Sequence, residues 1–328
     1  MAARAELLAW LCRRRLCETA AMTNTASETE RRTVDGLHVR RLAAALGAEI
    51  TGIELADAGA DVARTIEDLL VRHKVLFFPG QNLSLDDHVA LARHFGPLEA
   101  HPNLKNPNLE HPEIFELVAS AGGIADEWHT DLTFMASPSV MSVLNMVTCP
   151  EVGGDTMWTN LCLAYEALSP PIQELCDGLT ALHDAHPHGR SDSMAVHPVV
   201  RVHPVTGERV LYVNEHFTRR IVELGHDESE ALLTLLTGWV KQPRFTVRYH
   251  WTEGTIAMWD NRCTQHSVLN DFEGERVIQR ATVMGDRPEG VGAPRWHPWV
   301  SSRGGALTRH DRQLRSFLAS GGAPDLTG

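Results

Sequence analysis

Phe245-Thr246-Val247-Arg248-Tyr249-His250-Trp251, then Ile256-Ala257-Met258-Trp259, running on into Asp260-Asn261-Arg262-Cys263-Thr264-Gln265-His266, sets the architecture of this chain. In its first part Phe245, Val247, Tyr249 and Trp251 alternate with more polar neighbours, the period-two pattern of a half-buried strand. Ile256 to Trp259 predicts a second strand and Val277 to Met284 a third. Working outward, Val75-Leu76-Phe77-Phe78 before Pro79-Gly80 predicts a fully buried strand. Further strand-like runs lie at Leu37 to Leu42, Glu49 to Ile53, Val140 to Val147, His197 to Arg201 and Val210 to Val213, with a hairpin signal at Val205-Thr206-Gly207-Glu208. Helical spacing appears at Val62, Ile66, Leu69 and Leu70, in a segment opened by a capping box of Ser84 and Asp87, in a stretch after the Gly153–Thr156 turn that is interrupted at Pro170-Pro171, and at about Glu228 to Trp239. Many strands, with helices gathered at the start and in one insertion, predict a mainly β fold with flanking helices around a double-stranded β-helix, or jelly-roll, core.

With 328 residues and 43% apolar content, the chain can bury one large core. Its formal charge of -12 argues against nucleic acid and against an anionic membrane surface, and no apolar run approaches membrane-spanning length. The six cysteines form no Cys-x-x-Cys pair, which predicts a reducing, cytoplasmic setting. Residues 1–35 divide into an Arg-rich stretch and, from Met22, a polar one, and are expected to be a disordered extension or the product of a misassigned start. Residues 36–290 are expected to form the functional domain, and 291–328 a surface arm with a short helix near Asp311 to Leu318 that contacts a neighbouring subunit of a homo-oligomer, a dimer or tetramer.

Trp128-His129-Thr130-Asp131 supplies an imidazole and a carboxylate two positions apart, which share one face of an extended strand. His266 adds a second imidazole from a distant strand. Two His and one carboxylate are the ligand set of mononuclear non-haem iron(II) oxygenases, with positions left open for co-substrate and oxygen. A bare His-x-Asp also recurs by chance in a chain with 18 His. A zinc hydrolase could use the same three ligands, but would need a general base, and Glu127 points away from the face of Trp128. A non-catalytic jelly-roll binding module would be expected to lack a ligand. His183, His186 and His188 show no third close ligand and predict a polar lid loop, while Cys263, three residues before His266, is the thiol most exposed to stray iron chemistry.

Over roughly Gly36 to Pro288 the chain resembles the Fe(II)- and 2-oxoglutarate-dependent dioxygenases of the taurine and 2,4-dichlorophenoxyacetate type. The resemblance rests on Trp-His-Thr-Asp at 128–131, Gly-Gly-Asp-Thr-Met-Trp-Thr at 153–159, Tyr-Glu-Ala-Leu-Ser at 165–169, His-Pro-Val-Val-Arg-Val-His-Pro-Val-Thr-Gly at 197–207, Tyr-Val-Asn-Glu at 212–215, Trp-Asp-Asn-Arg-Cys-Thr-Gln-His at 259–266 and Arg-Ala-Thr-Val-Met-Gly-Asp at 280–286. It implies that His129, Asp131 and His266 bind Fe(II), and that Thr156 and Arg276 hold the far carboxylate of 2-oxoglutarate. It implies that O2 is consumed, that succinate and CO2 are released, and that a substrate C–H bond is hydroxylated. Arg280 and His101 would hold a small anionic substrate, with Leu132, Phe134 and Phe217 as its apolar wall. Taurine or a related alkyl sulfonate is the expected substrate, losing sulfite after hydroxylation, with alkyl sulfate esters or aryloxyalkanoates as alternatives. Three departures from the taurine enzyme predict a wider or differently lidded pocket: Leu104 replaces an aromatic hydroxyl, the segment 184–190 is altered, and the stretch between His183 and His197 is shorter.

Overall fold

The computed structural model describes residues 32–34, 36–98, 111–122, 125–299 and 308–320. The expectations for residues up to 31, for His101 and for Leu104 lie outside the described residues. Strands β1 (Arg32–Val34), β2 (Leu37–Arg41) and β3 (Ala48–Thr51) pair antiparallel in turn. Helix α1 (Ala60–His73) buries Ala63, Ile66, Leu69 and Leu70, the stripe predicted by their spacing, and ends at Lys74, whose left-handed φ of 67° turns the chain into β4 (Val75–Phe78). Because α1 has carried the chain across, β4 lies parallel to β3. All four β4 side chains are buried, since successive residues serve two different cores: Leu76 and Phe78 on one face, Val75 and Phe77 on the other. Helix α2 (Leu85–Arg93) opens on the predicted capping box between Ser84 and Asp87.

The strands that follow are β5 (Ile114–Val118), β6 (Ser139–Thr148) and β7 (Thr156–Asn160), and the helices α3 (Leu161–Glu166) and α4 (Pro170–Cys176) come next. Then come β8 (Thr180–Ala185), β9 (Arg190–Pro198), β10 (Val200–Val202), β11 (Arg209–Leu211) and β12 (Thr218–Ile221). Helix α5 (His226–Val240) precedes β13 (Thr246–Tyr249), β14 (Ile256–Asp260), β15 (Thr264–Val268) and β16 (Val277–Met284), and α6 (Arg309–Ala319) is last. One sheet runs β1-β2-β3-β4-β14-β6-β16-β5, and a second runs β13-β7-β15. Phe77, Met146 and Trp259 of the first share a core with Trp158, Val247 and Tyr249 of the second, where the Phe77 and Tyr249 rings stack at 3.8 Å. These are the two layers of a sandwich. A third sheet, β12-β8-β9, and the β10-β11 hairpin stand beside α3 to α5.

Two segments differ from expectation. The stretch between His183 and His197 is no open lid loop: β8 and β9 pair antiparallel from Thr180↔Pro198 to Ala185↔Arg190, closed by a single 3-10 turn at His186–His188. The C-terminal helix is also more than a surface element, for Leu314 is buried against Leu182, Val196 and Val222, and Asp311 pairs with Arg220. Among the described residues no helix is long and apolar enough to cross a membrane.

Candidate active site

Asp260 ends β14 in the large sheet, and β15 begins four residues later in the small one, so Asn261, Arg262 and Cys263 form a corner between the layers. The corner is held by Asp260, whose Oδ1 accepts from the Arg262 backbone N–H and Nε at 2.9 and 2.8 Å, while its backbone oxygen accepts from Thr264 Oγ1 at 2.8 Å. Beyond it, His266 lies opposite Trp158 in the β15–β7 register. A two-bond bridge ties His129 to His266, with N–H to O distances of 3.1 and 2.9 Å, and Thr130 Oγ1 donates to the Thr264 carbonyl at 2.7 Å. The two imidazole rings therefore stand 4.1 Å apart between centroids.

The segment around His129 and Asp131 is not the extended strand that the His-x-Asp spacing predicts. It is one bridge residue followed by a turn, with Leu132 at φ 57° and β6 starting only at Ser139. The left-handed residue breaks the pleat immediately after Asp131. The two side chains still converge: Asp131 Oδ1 lies 3.8 Å from His129 Nε2 and 4.0 Å from His266 Nε2. All three residues are buried, and among the described residues their ligand atoms form one of two groups lying within 4.8 Å of one another.

Each donor atom is set by its neighbours. His129 Nδ1–H donates to the Glu127 carbonyl at 2.7 Å, which leaves Nε2 with its lone pair turned towards Asp131. Burial pushes His129 down to about 4 and His266 well below the usual imidazole range, so both rings are neutral ligands at neutral pH. Burial opposes ionisation of Asp131, but Arg280 at 2.6 Å and the Ser142 hydroxyl at 2.8 Å outweigh it and hold the carboxyl well below its ordinary range. Asn261 Nδ2 adds a bond of 3.3 Å to Asp131 Oδ2, and its own Oδ1 receives Trp259 Nε1–H at 3.0 Å. Two neutral imidazoles and one ionised carboxylate, buried and converging, fit a divalent iron ion.

Thr156 and Arg276 are brought together as well. Arg276 Nη2 donates to Thr156 Oγ1 at 3.4 Å and its Nε to the Gly154 carbonyl at 3.2 Å. Gly153 and Gly154, both at positive φ, shape the turn that carries this carbonyl: a Cβ on Gly153 would stand 2.4 Å from the Asp271 carbonyl oxygen, and one on Gly154 3.0 Å from Pro150 Cγ. Arg276 is only 4% exposed, and among the described residues no carboxylate reaches ion-pair distance of it. Burial pulls its guanidinium down to about 10, which still leaves it charged. A buried, charged guanidinium with no counter-ion calls for an anion, and Trp251 Nε1 and Arg276 both donate to Thr156 Oγ1, so the hydroxyl hydrogen is directed to an acceptor elsewhere. A carboxylate of 2-oxoglutarate fits that pair.

Leu132, Phe134 and Phe217 form one apolar cluster with Ala185, with the two Phe rings 5.3 Å apart edge to face and Phe217 6.3 Å from the His129 ring. Of the polar residues beside this wall, sequence reasoning misses His216 and places His188 in a lid. His216 pairs with the Glu127 carboxylate at 2.5 Å and lies 5.6 Å from the His129 ring, and His188, at the β8–β9 turn, stands 5.3 Å from Phe217. His183 separates from His188 altogether: it is fully buried, with Nδ1 3.0 Å from Thr133 Oγ1. Ser142 and Asn261 also escape the sequence, since Ser142 meets the site only because it pairs with Trp259 across β6 and β14. Cys263 is buried, and a hydrogen bond with Cys162, then burial and the charge of Asp260, push its thiol well above the usual range, so it is held as the neutral thiol.

A convergent pair of neutral imidazoles with one carboxylate, and a separate buried cradle for a carboxylate, define the class of oxygenase that joins iron to a keto acid. The family model described as "Taurine catabolism dioxygenase TauD, TfdA family" matches residues 38–282. An alpha-ketoglutarate-dependent sulfate ester dioxygenase of Pseudomonas putida is 37% identical over 295 residues, covering 82% of this chain and 96% of the relative. An alpha-ketoglutarate-dependent sulfonate dioxygenase of Saccharomyces cerevisiae is 34% identical over 287 residues, covering 78% and 68%. The crystal structure of a putative alpha-ketoglutarate-dependent taurine dioxygenase from Burkholderia xenovorans superposes with a TM-score of 0.72 at 38% identity, covering 83% of this chain and all of that one. The chain belongs to the TauD/TfdA family. It is an alpha-ketoglutarate-dependent dioxygenase with the jelly-roll fold, using Fe(II), 2-oxoglutarate and O2.

Proposed function

We propose that the domain over 36–290 hydroxylates a small organosulfur anion, an alkyl sulfonate such as taurine or an alkyl sulfate ester, at the carbon next to the sulfur-bearing group. One observation carries this reading: two buried guanidiniums stand four residues apart, Arg276 just before β16 and beside Thr156, with no carboxylate at ion-pair distance among the described residues, and Arg280 within β16 on Asp131. That is one cation for a keto acid and another for a substrate anion. The names of the sulfate ester and sulfonate relatives support an organosulfur headgroup.

His129, Asp131 and His266 would hold Fe(II), which with 2-oxoglutarate and O2 supplies an oxidant strong enough to cleave an unactivated C–H bond, releasing succinate and CO2. Arg276 and Thr156 orient the keto acid by its far carboxylate, through charge-assisted donors that water cannot displace once the pair is buried. Arg280, with His101, takes the substrate anion, and Leu132, Phe134 and Phe217 pack its alkyl part and exclude water. The substrate C–H becomes C–OH; loss of the hydroxyl proton and of the sulfur group then yields an aldehyde with sulfite from a sulfonate or sulfate from an ester. Free thiols at Cys149, Cys162, Cys176 and Cys263 support a reducing, cytoplasmic setting, and the exposed Trp296 and Trp299 support self-association.

The test is substrate-dependent succinate formation over matched alkyl sulfonates, sulfate esters and carboxylates, with sulfite and sulfate measured and Arg280→Ala as control. Organosulfur anions should stimulate succinate and release their sulfur group, and Arg280→Ala should lose that stimulation. Stimulation by carboxylates alone would overturn the assignment.

A further inference from the structure

The guanidinium of Arg280 does not simply face a substrate: its Nη1 lies 2.6 Å from Asp131 Oδ1. The other carboxylate oxygen, Oδ2, is taken by Ser142 Oγ–H at 2.8 Å and Asn261 Nδ2–H at 3.3 Å. Oδ1 is the oxygen that faces the two Nε2 atoms, so it is the one available to a metal. Arg280 and the metal thus converge on the same atom. Among the described residues Asp131 is the only carboxylate within ion-pair distance of Arg280, and the Arg280 Nε is buried without a hydrogen-bond partner. The Phe115 ring, 5.4 Å from the guanidinium carbon, covers one face of the planar group. A guanidinium presents separate donor edges. One is spent on Asp131; the edge containing Nε is left for an oxyanion.

We propose that Arg280 is a single counter-cation shared between Asp131 and the substrate anion, and that this sharing couples metal binding to anion binding. The anion half rests on the substrate reading given above. In the metal-free protein Arg280 neutralises Asp131. When the metal arrives, two cations crowd one oxygen, and in a buried site their repulsion is weakly screened, which lowers metal affinity. An oxyanion on the Nε edge cancels the guanidinium charge and relieves that repulsion. By linkage the metal must tighten the anion by the same factor as the anion tightens the metal. Arg280 is therefore a positioning residue for the carboxylate ligand as well as a substrate contact.

Calorimetric titration of the metal-free full chain with Mn(II), at one pH and without 2-oxoglutarate, tests this without turnover. In the wild type, saturating hexyl sulfate should tighten Mn(II) by about 10-fold. Arg280→Gln should bind Mn(II) about 10-fold tighter than wild type with no anion present, and hexyl sulfate should no longer change it. Arg280→Lys keeps the charge but loses the fork, and should fall between the two; it serves as the test variant should Arg280→Gln fail to give a native circular-dichroism spectrum. A merely structural Arg280 predicts the opposite sign, with weaker Mn(II) binding in the folded variant, and that result overturns the proposal. So does hexyl sulfate that binds the wild type yet leaves Mn(II) affinity unchanged. If no organosulfur anion binds the wild type, the substrate reading fails, while the anion-free comparison of variants still decides the counter-cation role.

Discussion

His129, Asp131 and His266 form one buried His–carboxylate cluster; His203, Asp260 and Cys263 form another at the β14–β15 corner, and among the described residues these are the two groups able by distance alone to hold a metal. Their uses are opposite. At the corner, Asp260 Oδ2 accepts from Arg262 Nη2 at 2.7 Å and from His203 Nε2–H at 3.0 Å, with Oδ1 already doubly bonded to Arg262. His203 Nδ1 accepts the backbone N–H groups of Val205 and Thr206 at 3.3 and 3.2 Å, and the Cys263 thiol stays protonated. No lone pair is left for an ion. At the triad, by contrast, both Nε2 atoms and Asp131 Oδ1 face one another across 3.8 and 4.0 Å. Residue type makes both clusters candidates, and unspent lone pairs fit only one of them to hold an ion.

The largest expected effect tests that contrast directly. Asp131→Ala should abolish Mn(II) binding and cut substrate-dependent succinate by about 1000-fold or more, since the metal supplies the chemistry. Asp260→Asn should keep one Mn(II) per chain while lowering unfolding free energy by about 3–5 kcal/mol, because it leaves the Arg262 cation buried without its partner. Metal titration combined with denaturant unfolding separates the two, and an Asp260→Asn protein that is folded but metal-free would break the comparison. Next in size, Arg276→Met should raise the KM for 2-oxoglutarate by about 100-fold, the cost of truncating one partner of a buried charge pair. An unchanged KM would mean that the buried guanidinium serves packing alone.

The smallest effect concerns pH. Burial depresses His88 and His197 to about 4, while an unfolded His titrates near 6.5, so the unfolded chain binds protons first as pH falls. The stability due to these neutral rings is complete above about pH 6.5 and drains away progressively down to about pH 4. These two rings should therefore add no slope to Tm above neutrality and should lower it through that window, and His88→Gln should shallow the decline. A Tm that rises on acidification across the same range would contradict the sign.

Much of this was legible in one dimension. The four-residue run Val75 to Phe78 declares a strand buried on both faces, and Ser84 with Asp87 marks a helix start, because both signals are local. The triad was legible through motif and spacing, and Thr156 with Arg276 through resemblance to a family. What escaped was long-range. The β8–β9 hairpin was expected to be a lid, because the sequence of 184–196 does not say what it pairs with, and His216 reaches the site only through Glu127, 89 residues earlier in the chain.

The sequence by itself determined the strands that alternate or run apolar, such as Val75–Phe78 and Val277–Met284, the three ligand types, and two arginines four residues apart at the start of the last strand. Tertiary structure alone decided which lone pairs remained free and where the Arg280 charge is spent. The physical reason is range: alternation and capping act between near neighbours, whereas the partners that occupy Asp131, among them Asn261 and Arg280, come from 130 and 149 residues away and meet it only once the layers pack.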